Sequence, residues 1–221
     1  MKKILTTAIL CAGLVGFTAC DSFLDEDPKS SLTLDTYYKT SADIIGNVNY
    51  LYRDGAPDKM GNMTGAYRGS SLSVMNMVTG YFVNEYEGQE VDCSYARQLT
   101  RQDFTQSCCN YLTNDTWKSC YKSINVANAV IKYVDGVEMD NQAQYKAEAR
   151  FFRALNYFYL VKMFGDVPMV TEPTEDATLV EYPTRTAASE VFNTVIIPDL
   201  QFAVENLPNA TFAGNSHRVT K

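Results

Sequence analysis

The chain has 221 residues, of which 46% are hydrophobic, so it is long enough and apolar enough to bury a core. This composition excludes a disordered or collagen-like chain. The 19 Lys and Arg are outnumbered by 26 Asp and Glu, and the formal net charge of −7 argues against a nucleic-acid-binding protein. Aromatic residues make up 12% of the chain, which indicates either an aromatic core or surfaces on which ligands stack.

The first nineteen residues have the pattern of an export signal. Lys2 and Lys3 precede an apolar run over residues 4–19, which is short for a membrane-spanning helix. We therefore assign residues 1–19 to a lipoprotein signal peptide and exclude them from the fold. The sequence Phe-Thr-Ala-Cys-Asp over residues 17–21 resembles a bacterial lipobox, in which Cys20 is lipidated and becomes the new N-terminus. The alternative is a secreted protein in which this cysteine is incidental.

Residues 20–40 are predicted to be an extended acidic tether outside the core. Removal of the leader takes two lysines away, so 17 basic and 26 acidic side chains leave a mature charge of −9. Four acidic residues follow the lipidation site closely: Asp21, Asp25, Glu26 and Asp27. This cluster resembles the signal that sends some lipoproteins of the Bacteroidetes to the outer face of the outer membrane. The alternative is a tether that is merely well solvated.

Four cysteines remain once Cys11 has left with the leader and Cys20 is lipidated: Cys93, Cys108, Cys109 and Cys120. Four cysteines allow three pairings. If Cys109 and Cys120 lie on one helix they are about 16 Å apart, too far for a disulfide, so Cys93 with Cys108 or Cys109 is the pair to test. The chain has no CxxC motif and its one histidine is remote, so neither a zinc site nor any other cofactor is predicted.

Helical periodicity dominates residues 41–221. A first helix is predicted to begin after Thr40 or Ser41, either of which can cap it, and to end near residue 54. A short apolar run over residues 72–78 favours one more helix. Residues 116–134 are predicted to be helical because five apolar residues repeat along one face: Cys120, Ile124, Ala127, Ile131 and Val134. Cys120 is therefore expected in the core.

The next predicted helix spans residues 141–164 and has almost no polar face. Such a helix is expected to be buried by neighbours on several sides. It is predicted to stop at Gly165. Its charged residues Glu148, Arg150 and Arg153 are interpreted as members of a buried ion-pair network in preference to a catalytic set.

A last helix is predicted over residues 187–206, with Thr184 or Thr186 as its cap and a kink at Pro198. No alternating run of polar and apolar residues is long enough to predict a sheet. Helices that cannot bury their faces alone suggest antiparallel helix pairs joined by long loops. The predicted fold class is therefore all-α, with a helical repeat of the tetratricopeptide type.

The tetratricopeptide pattern is matched in part. Ala154, Phe158 and Pro168 fit its A-x3-F…P portion, whereas Trp117 and Tyr121 imitate its W…Y portion at a different spacing. The position of Trp117 at the start of a helix favours a packing role over a ligand contact.

Two longer stretches give a family resemblance. The sequences TWKSCYKSINVANAVI (residues 116–131) and AEARFFRALNYFYLVKMFGDVPMV (residues 147–170) are similar to the most recognisable segments of the SusD/RagB family. Members of this family are nutrient-binding lipoproteins of the outer membrane. Shorter segments resemble it too: residues 20–28, 182–184, 195–200 and 207–208. The chain is identified as the N-terminal, tetratricopeptide-like portion of such a protein.

Family members are considerably longer than this chain. Residues 218–221 resemble the beginning of their next repeat helix, so we expect an N-terminal fragment or a truncated reading frame. An interrupted repeat leaves an apolar face uncovered, which predicts poor solubility.

The resemblance implies a role without catalysis. Such proteins sit on the outer membrane by a lipid anchor, face outward, capture oligosaccharides or other glycans, and deliver them to a SusC-like TonB-dependent transporter. One alternative is a helical-repeat scaffold lipoprotein that binds a protein partner without any glycan. The other is a truncated fragment with no function.

Residues 69–96 are the segment best suited to contact a glycan, because they contain no Lys or Arg and alternate aromatic with acidic residues. Sugar rings stack on aromatic side chains, and their hydroxyl groups pair with carboxylates. The candidate glycan-binding residues are Tyr81, Tyr86, Tyr95, Glu85, Glu90 and Asp92. The alternative is that these aromatic residues only pin a surface loop to the helices.

An enzyme is not predicted. Paired carboxylates such as Glu85 and Glu90 serve glycoside hydrolysis only when one pKa is raised, and nothing in the sequence raises it. The chain has no GxSxG motif, and His217 near its end is no credible base for a Ser-His-Asp triad. The spacing of the loop acids also fails to match a calcium-binding EF-hand.

Overall fold

Three long helices build the core, as the periodicity predicts. The structure is a computed structural model that describes residues 33–54, 78–82, 98–103, 107–174, 183–210 and 217–221. Its elements are α1 (Leu34–Tyr37), α2 (Ser41–Asp54), α3 (Ser107–Tyr133), a 3-10 turn (Val134–Gly136), α4 (Gln142–Phe164), β1 (Val167–Pro168), β2 (Arg185–Thr186), α5 (Ala188–Val191), a π turn (Phe192–Ile196) and α6 (Ile197–Asn206). The all-α fold class is confirmed.

Helix α2 begins at the predicted cap. The Thr40 N–H and hydroxyl donate to Oδ2 of Asp43 at 2.8 and 2.7 Å, and these bonds lower the pKa of the Asp43 carboxyl. From this start the helix places Ile44, Val48 and Leu51 on one face, where all three are fully buried. The spacing of three and four residues is the reason they share that face.

The predicted extended tether over residues 20–40 is wrong at its C-terminal end. Leu34–Tyr37 forms a helical turn, and Tyr38 is buried with its ring stacked on the ring of Tyr133 at 5.2 Å. The Tyr133 hydroxyl also donates to Asp35 at 2.6 Å. The chain divides into two units at this point, and the second unit, Leu34–Lys221, contains all of these contacts.

Helix α3 is longer than its periodicity indicates. It begins at Ser107, nine residues before the predicted start. The prediction missed these first turns because residues 107–115 are mostly polar and carry no apolar stripe. Cys120 and Ile124 are buried as expected, and burial raises the pKa of the Cys120 thiol to about 12. Cys93 lies outside the described residues, as do the side chains of Cys108 and Cys109, so their pairing stays a prediction.

Helix α4 is the central element, since it packs against α2, α3 and α6. It ends at Gly165 as predicted, where a φ of 70° suits glycine and the Gly165 N–H donates to the Val161 carbonyl at 2.9 Å. The expectation that neighbours bury this helix on several sides is confirmed, although Phe158 keeps more than a third of its surface exposed. Phe158, which matches the Phe of the tetratricopeptide pattern, therefore lies at the edge of the core.

The helix predicted over residues 187–206 is divided into three parts. The π turn widens the helix immediately before Pro198, whose ring cannot accept the regular hydrogen-bonding geometry of an α-helix. The predicted caps Thr184 and Thr186 are wrong. The Ala188 N–H donates instead to Oδ1 of Asp166 at 2.9 Å, so the cap comes from a residue distant in sequence.

Strands β1, which follows α4, and β2, which precedes α5, form a short sheet that the sequence does not predict. Val167 pairs with Thr186 and Pro168 with Arg185 in antiparallel register. Arg185 donates to the carbonyl of Asp166 and lies over the ring of Trp117 at 5.7 Å. Trp117 is thus partly buried by Arg185 and by the edge of Phe164, in agreement with a packing role.

We predict that Ile124→Ala lowers the free energy of unfolding by between about 2 and 5 kcal/mol, because it removes a buried side chain and leaves a cavity. Ile124 is 1% exposed. The matched control is Ile197→Ala on α6, whose side chain is 43% exposed and whose loss is expected to cost about 0.5 kcal/mol. Urea denaturation followed by far-ultraviolet circular dichroism measures both, and equal losses would contradict the assignment of Ile124 to the core.

Candidate functional site

Two adjacent aromatic side chains project from a turn on the surface. Tyr81 is 88% exposed and Phe82 is 57% exposed. Both rings are therefore accessible to a ligand or a partner. Of the predicted glycan-binding residues, Tyr81 is the one that the structure describes. The others, Glu85, Tyr86, Glu90, Asp92 and Tyr95, lie outside the described residues, as does Cys20.

The turn that carries Tyr81 is bonded to a second turn, which contains Leu99 and Gln102. Gly80 has a φ of 78°, and the Tyr81 N–H donates to the Thr79 hydroxyl at 3.3 Å. Gln102 donates from its side-chain amide to the Val78 carbonyl at 3.2 Å. Gln102 belongs to a turn that buries Leu99, so the exposed aromatic pair is tethered to a buried residue. These bonds fix the backbone of the turn, and both aromatic side chains project from it into solvent.

A groove of about 670 Å³ lies between the N-terminal ends of α2 and α4. The described residues that line it are of two kinds, polar (Ser41, Glu138, Asp140 and Asn141) and apolar or aromatic (Ile45, Met139 and Tyr145). Carboxylates can accept hydrogen bonds from hydroxyl groups, and apolar side chains can contact the apolar face of a ring. The described residues that line the groove include two carboxylates, Glu138 and Asp140, and no cation, an arrangement that disfavours an anionic ligand.

A buried network joins α3, α4 and α6 beneath the surface. Arg153 donates to both carboxylate oxygens of Asp199, at 2.6 and 2.9 Å, and to the side-chain Oδ1 of Asn128 at 2.9 Å. Arg150 lies 3.6 Å from the same carboxylate. The prediction of a buried ion-pair network for the charges of α4 is confirmed, with Asp199 as a partner that the sequence alone does not reveal.

Side chains of α3 and α4 also fix the segment over residues 167–174. Asn128 donates to the carbonyls of Val170 and Glu172 at 3.0 and 3.2 Å. The Tyr157 hydroxyl donates to the Val170 carbonyl and accepts from its N–H, and burial raises the pKa of Tyr157 to about 12. These bonds satisfy a segment that has almost no regular secondary structure of its own.

A second buried ion pair joins the end of the chain to α4. Arg218 donates to Oε1 of Glu148 at 2.8 Å and also to Oε2, and the Tyr52 hydroxyl donates to Oε1 at 2.7 Å. Glu148 is fully buried. Burial raises the pKa of the Glu148 carboxyl, although the bonds from Arg218 and Tyr52 act to lower it. Residues 218–221, which resemble a helix start, are not helical in this structure.

An apolar stripe runs along the outer face of α6. Ile197, Leu200 and Val204 recur at intervals of three and four residues and are all exposed. The opposite face of α6 buries Asp199 and Ala203. A helix that is apolar on both faces is expected to meet a second surface.

Sequence reasoning missed Phe82, Asp199, Arg218 and the groove. Phe82 stands directly beside Tyr81, so its exposure follows from the same loop prediction. Asp199 and Arg218 become partners of α4 only through contacts over 46 and 70 residues of sequence. No local pattern signals such contacts.

The comparisons with known proteins agree on one family. Residues 22–221 match the SusD-like family described as "Starch-binding associating with outer membrane". Because this match covers almost the whole chain, the chain belongs to the SusD/RagB family. Among the described residues, no helix is both long enough and apolar enough to cross a membrane.

The individual relatives are similar but longer. SusD-like protein P2 of Formosa agariphila is 29% identical over 216 residues, which are 96% of this chain and 40% of that protein. A solved laminarin-binding SusD-like protein has a TM-score of 0.67 and 24% identity, and the match covers 83% of this chain and 38% of that chain. A structure determined with a xylogluco-oligosaccharide has a TM-score of 0.55 and 22% identity, over 78% and 31%. The chain therefore spans about 40% of the length of P2.

We predict that Glu148→Gln removes a contribution to the free energy of unfolding that is largest at low pH. A carboxyl whose folded pKa is raised contributes stability that is fully present below its unfolded pKa and is lost as pH rises through the folded pKa. The difference in unfolding free energy, wild type minus E148Q, should therefore fall as the pH rises from about 4, near the ordinary pKa of a glutamate, toward neutral pH. Urea denaturation across that range measures it, and a difference that rises with pH would mean that the bonds from Arg218 and Tyr52 outweigh the effect of burial on this pKa.

Proposed function

We propose that this chain is the glycan-capturing part of a lipoprotein of the outer membrane. In this proposal residues 1–19 are the signal peptide, Cys20 carries the lipid, and the acidic segment before Leu34 is the tether. The remaining helical domain faces outward, binds oligosaccharides without cleaving them, and delivers them to a SusC-like TonB-dependent transporter. The match of residues 22–221 to a starch-binding, outer-membrane-associated family is the observation that carries the proposal.

The exposed aromatic turn is the proposed place of capture. Tyr81 and Phe82 offer two ring faces, and the sequence continues with Glu85, Tyr86, Glu90, Asp92 and Tyr95, which we propose as further contacts. Two structures that share this fold are described as binding laminarin and as holding a xylogluco-oligosaccharide, which supports a glycan as the ligand. The mature charge of −9, from 17 basic and 26 acidic side chains, favours uncharged glycans over polyanionic ones, because like charges repel.

We predict that Tyr81→Ala together with Phe82→Ala weakens glycan binding by about thirtyfold, since each stacked ring contributes on the order of 1 kcal/mol. Affinity electrophoresis in gels containing laminarin or xyloglucan measures the retardation of the full chain. A gel with polygalacturonate is the anionic comparison and is expected to retard the chain least.

The matched control is Tyr37→Ala, which removes an exposed tyrosine of α1 that is distant in sequence from the proposed site. It is expected to bind glycan like the wild type. Unchanged retardation of the double variant in a gel that retards the wild type would exclude the aromatic turn as the site.

A second candidate function is a scaffold that binds a protein partner without glycan. The exposed stripe of Ile197, Leu200 and Val204 favours it, because an apolar helix face suits a helix of another protein. Absence of retardation of the wild-type chain in every polysaccharide gel would support the scaffold and contradict glycan capture.

Delivery to a transporter is tested in the native host. We predict that the tagged chain, extracted from the outer membrane in mild detergent, copurifies with one large β-barrel protein identified by mass spectrometry. Cys20→Ala removes the lipidation site and should shift the chain out of the membrane fraction, because the anchor requires acyl chains. A chain that stays in the membrane as Cys20→Ala, or that copurifies with no barrel, would contradict the anchoring or the delivery step respectively.

A further inference from the structure

The side chain of Arg218 lies in an enclosed site that matches a guanidinium group on every side. Its Nε and Nη2 donate to the two oxygens of Glu148, and its Nη1 donates to the side-chain Oδ1 of Asn49 at 3.0 Å. The guanidinium carbon lies 5.3 Å from the ring centre of Tyr52 and 4.9 Å from that of Tyr145. We call these four side chains, Glu148, Asn49, Tyr52 and Tyr145, the guanidinium cage.

The chemistry of the cage selects a planar cation with several donors. Two parallel bonds to a carboxylate, a third bond to an amide, and two aromatic rings in contact all use the fork and the flat faces of a guanidinium. An ammonium group offers a point charge and fills this arrangement poorly. Only 8% of the surface of Arg218 is exposed, so its bonds form away from water, where they are strong.

The cage spans two helices and is filled by a third segment. Asn49 and Tyr52 belong to α2, whereas Tyr145 and Glu148 belong to α4, and Arg218 arrives from residues 217–221. The adjacent Val219 N–H donates to the Tyr52 hydroxyl at 2.9 Å, and Val219 packs against the core between these helices. Residues 217–221 thus bridge α2 and α4 with one charged and one apolar contact.

The carboxylate of Glu148 makes the cage costly to leave empty. Glu148 is fully buried, and within the described parts of the chain its ion pair is with Arg218 alone. A buried carboxylate without a cation is strongly unfavourable, so loss of Arg218 must be answered by opening of the cage or by uptake of another cation or a proton. Because Asn49 and Tyr52 of the cage belong to α2 and Glu148 and Tyr145 to α4, separation of these two helices would expose the carboxylate to water.

We propose that the cage is a guanidinium-binding site and that Arg218 occupies it as a clasp, so that α2 stays closed against α4 only while a guanidinium is bound. The site takes the side chain of an arginine, here one supplied by the same chain. An emptied cage is expected to accept a free alkylguanidinium ion and to close again. This assignment is independent of the glycan proposal, because none of the cage residues belongs to the aromatic turn.

Hydrogen exchange of the full chain, read by mass spectrometry, tests the clasp. In Arg218→Ala the exchange of backbone amides in α2 should rise by about tenfold or more, while amides at the centre of α3 change much less, because opening is local. Low-millimolar ethylguanidinium should restore most of the protection. Ethylammonium at the same concentration should not, since it lacks the planar fork.

Two further variants keep the test decisive. Arg185→Ala is the matched control, because it removes a guanidinium that bonds carbonyls beside Trp117 and does not touch the cage. It should leave exchange in α2 unchanged. Arg218→Lys keeps the positive charge and serves if Arg218→Ala does not fold. Exchange in α2 should still rise several-fold in R218K, because the bidentate bonds are lost.

Three results would overturn the proposal. Wild-type exchange in α2 of R218K would mean that charge alone closes the helices. An equal rise of exchange in α2 and α3 of R218A would mean that Arg218 contributes to global stability without acting as a clasp. Equal rescue by ethylammonium and ethylguanidinium would mean that the cage does not recognise the guanidinium group.

Discussion

The fold depends on the neutralisation of two opposite charges on one buried helix. Glu148 and Arg153 stand five residues apart on α4, so they point about 140° away from each other and cannot pair with one another. Both are buried, and each must therefore find its partner on a different side of the helix. Arg218 neutralises Glu148, and Asp199 neutralises Arg153. The positions of α6 and of residues 217–221 around α4 follow from this requirement.

Polar side chains rather than sheet hydrogen bonds organise the connections around this centre. Asn128 accepts from Arg153 and donates to the carbonyls of Val170 and Glu172, so it links the charged network to the segment that follows α4. Tyr157 bonds both backbone groups of Val170. A segment without regular structure is thereby held in one conformation by buried groups whose loss would leave unsatisfied carbonyls. These bonds hold the segment after α4 against α3 and α4. We call the helices and this segment together the frame.

Three surface features stand out against that frame: the aromatic turn, the polar groove and the apolar stripe of α6. The turn and the groove both suit hydroxyl-bearing ligands, whereas the stripe suits a helix. Membership of a family described as starch-binding and associated with the outer membrane agrees with the first kind of ligand. The chain covers 40% of the length of its relative P2, so the roles of these surfaces in a longer protein are matters for the proposed experiments.

The sequence by itself determined the all-α class, the limits of α2 and α4, the burial of Cys120 and the family, because these depend on local periodicity, caps and recognisable segments. It also marked the loop that contains Tyr81. Tertiary structure alone decided that Asp199 and Arg218 pair with α4, that Asp166 caps α5, and that Tyr38 joins the core. These contacts join residues far apart in the chain, and their energies come from burial, which no local pattern of residue types encodes.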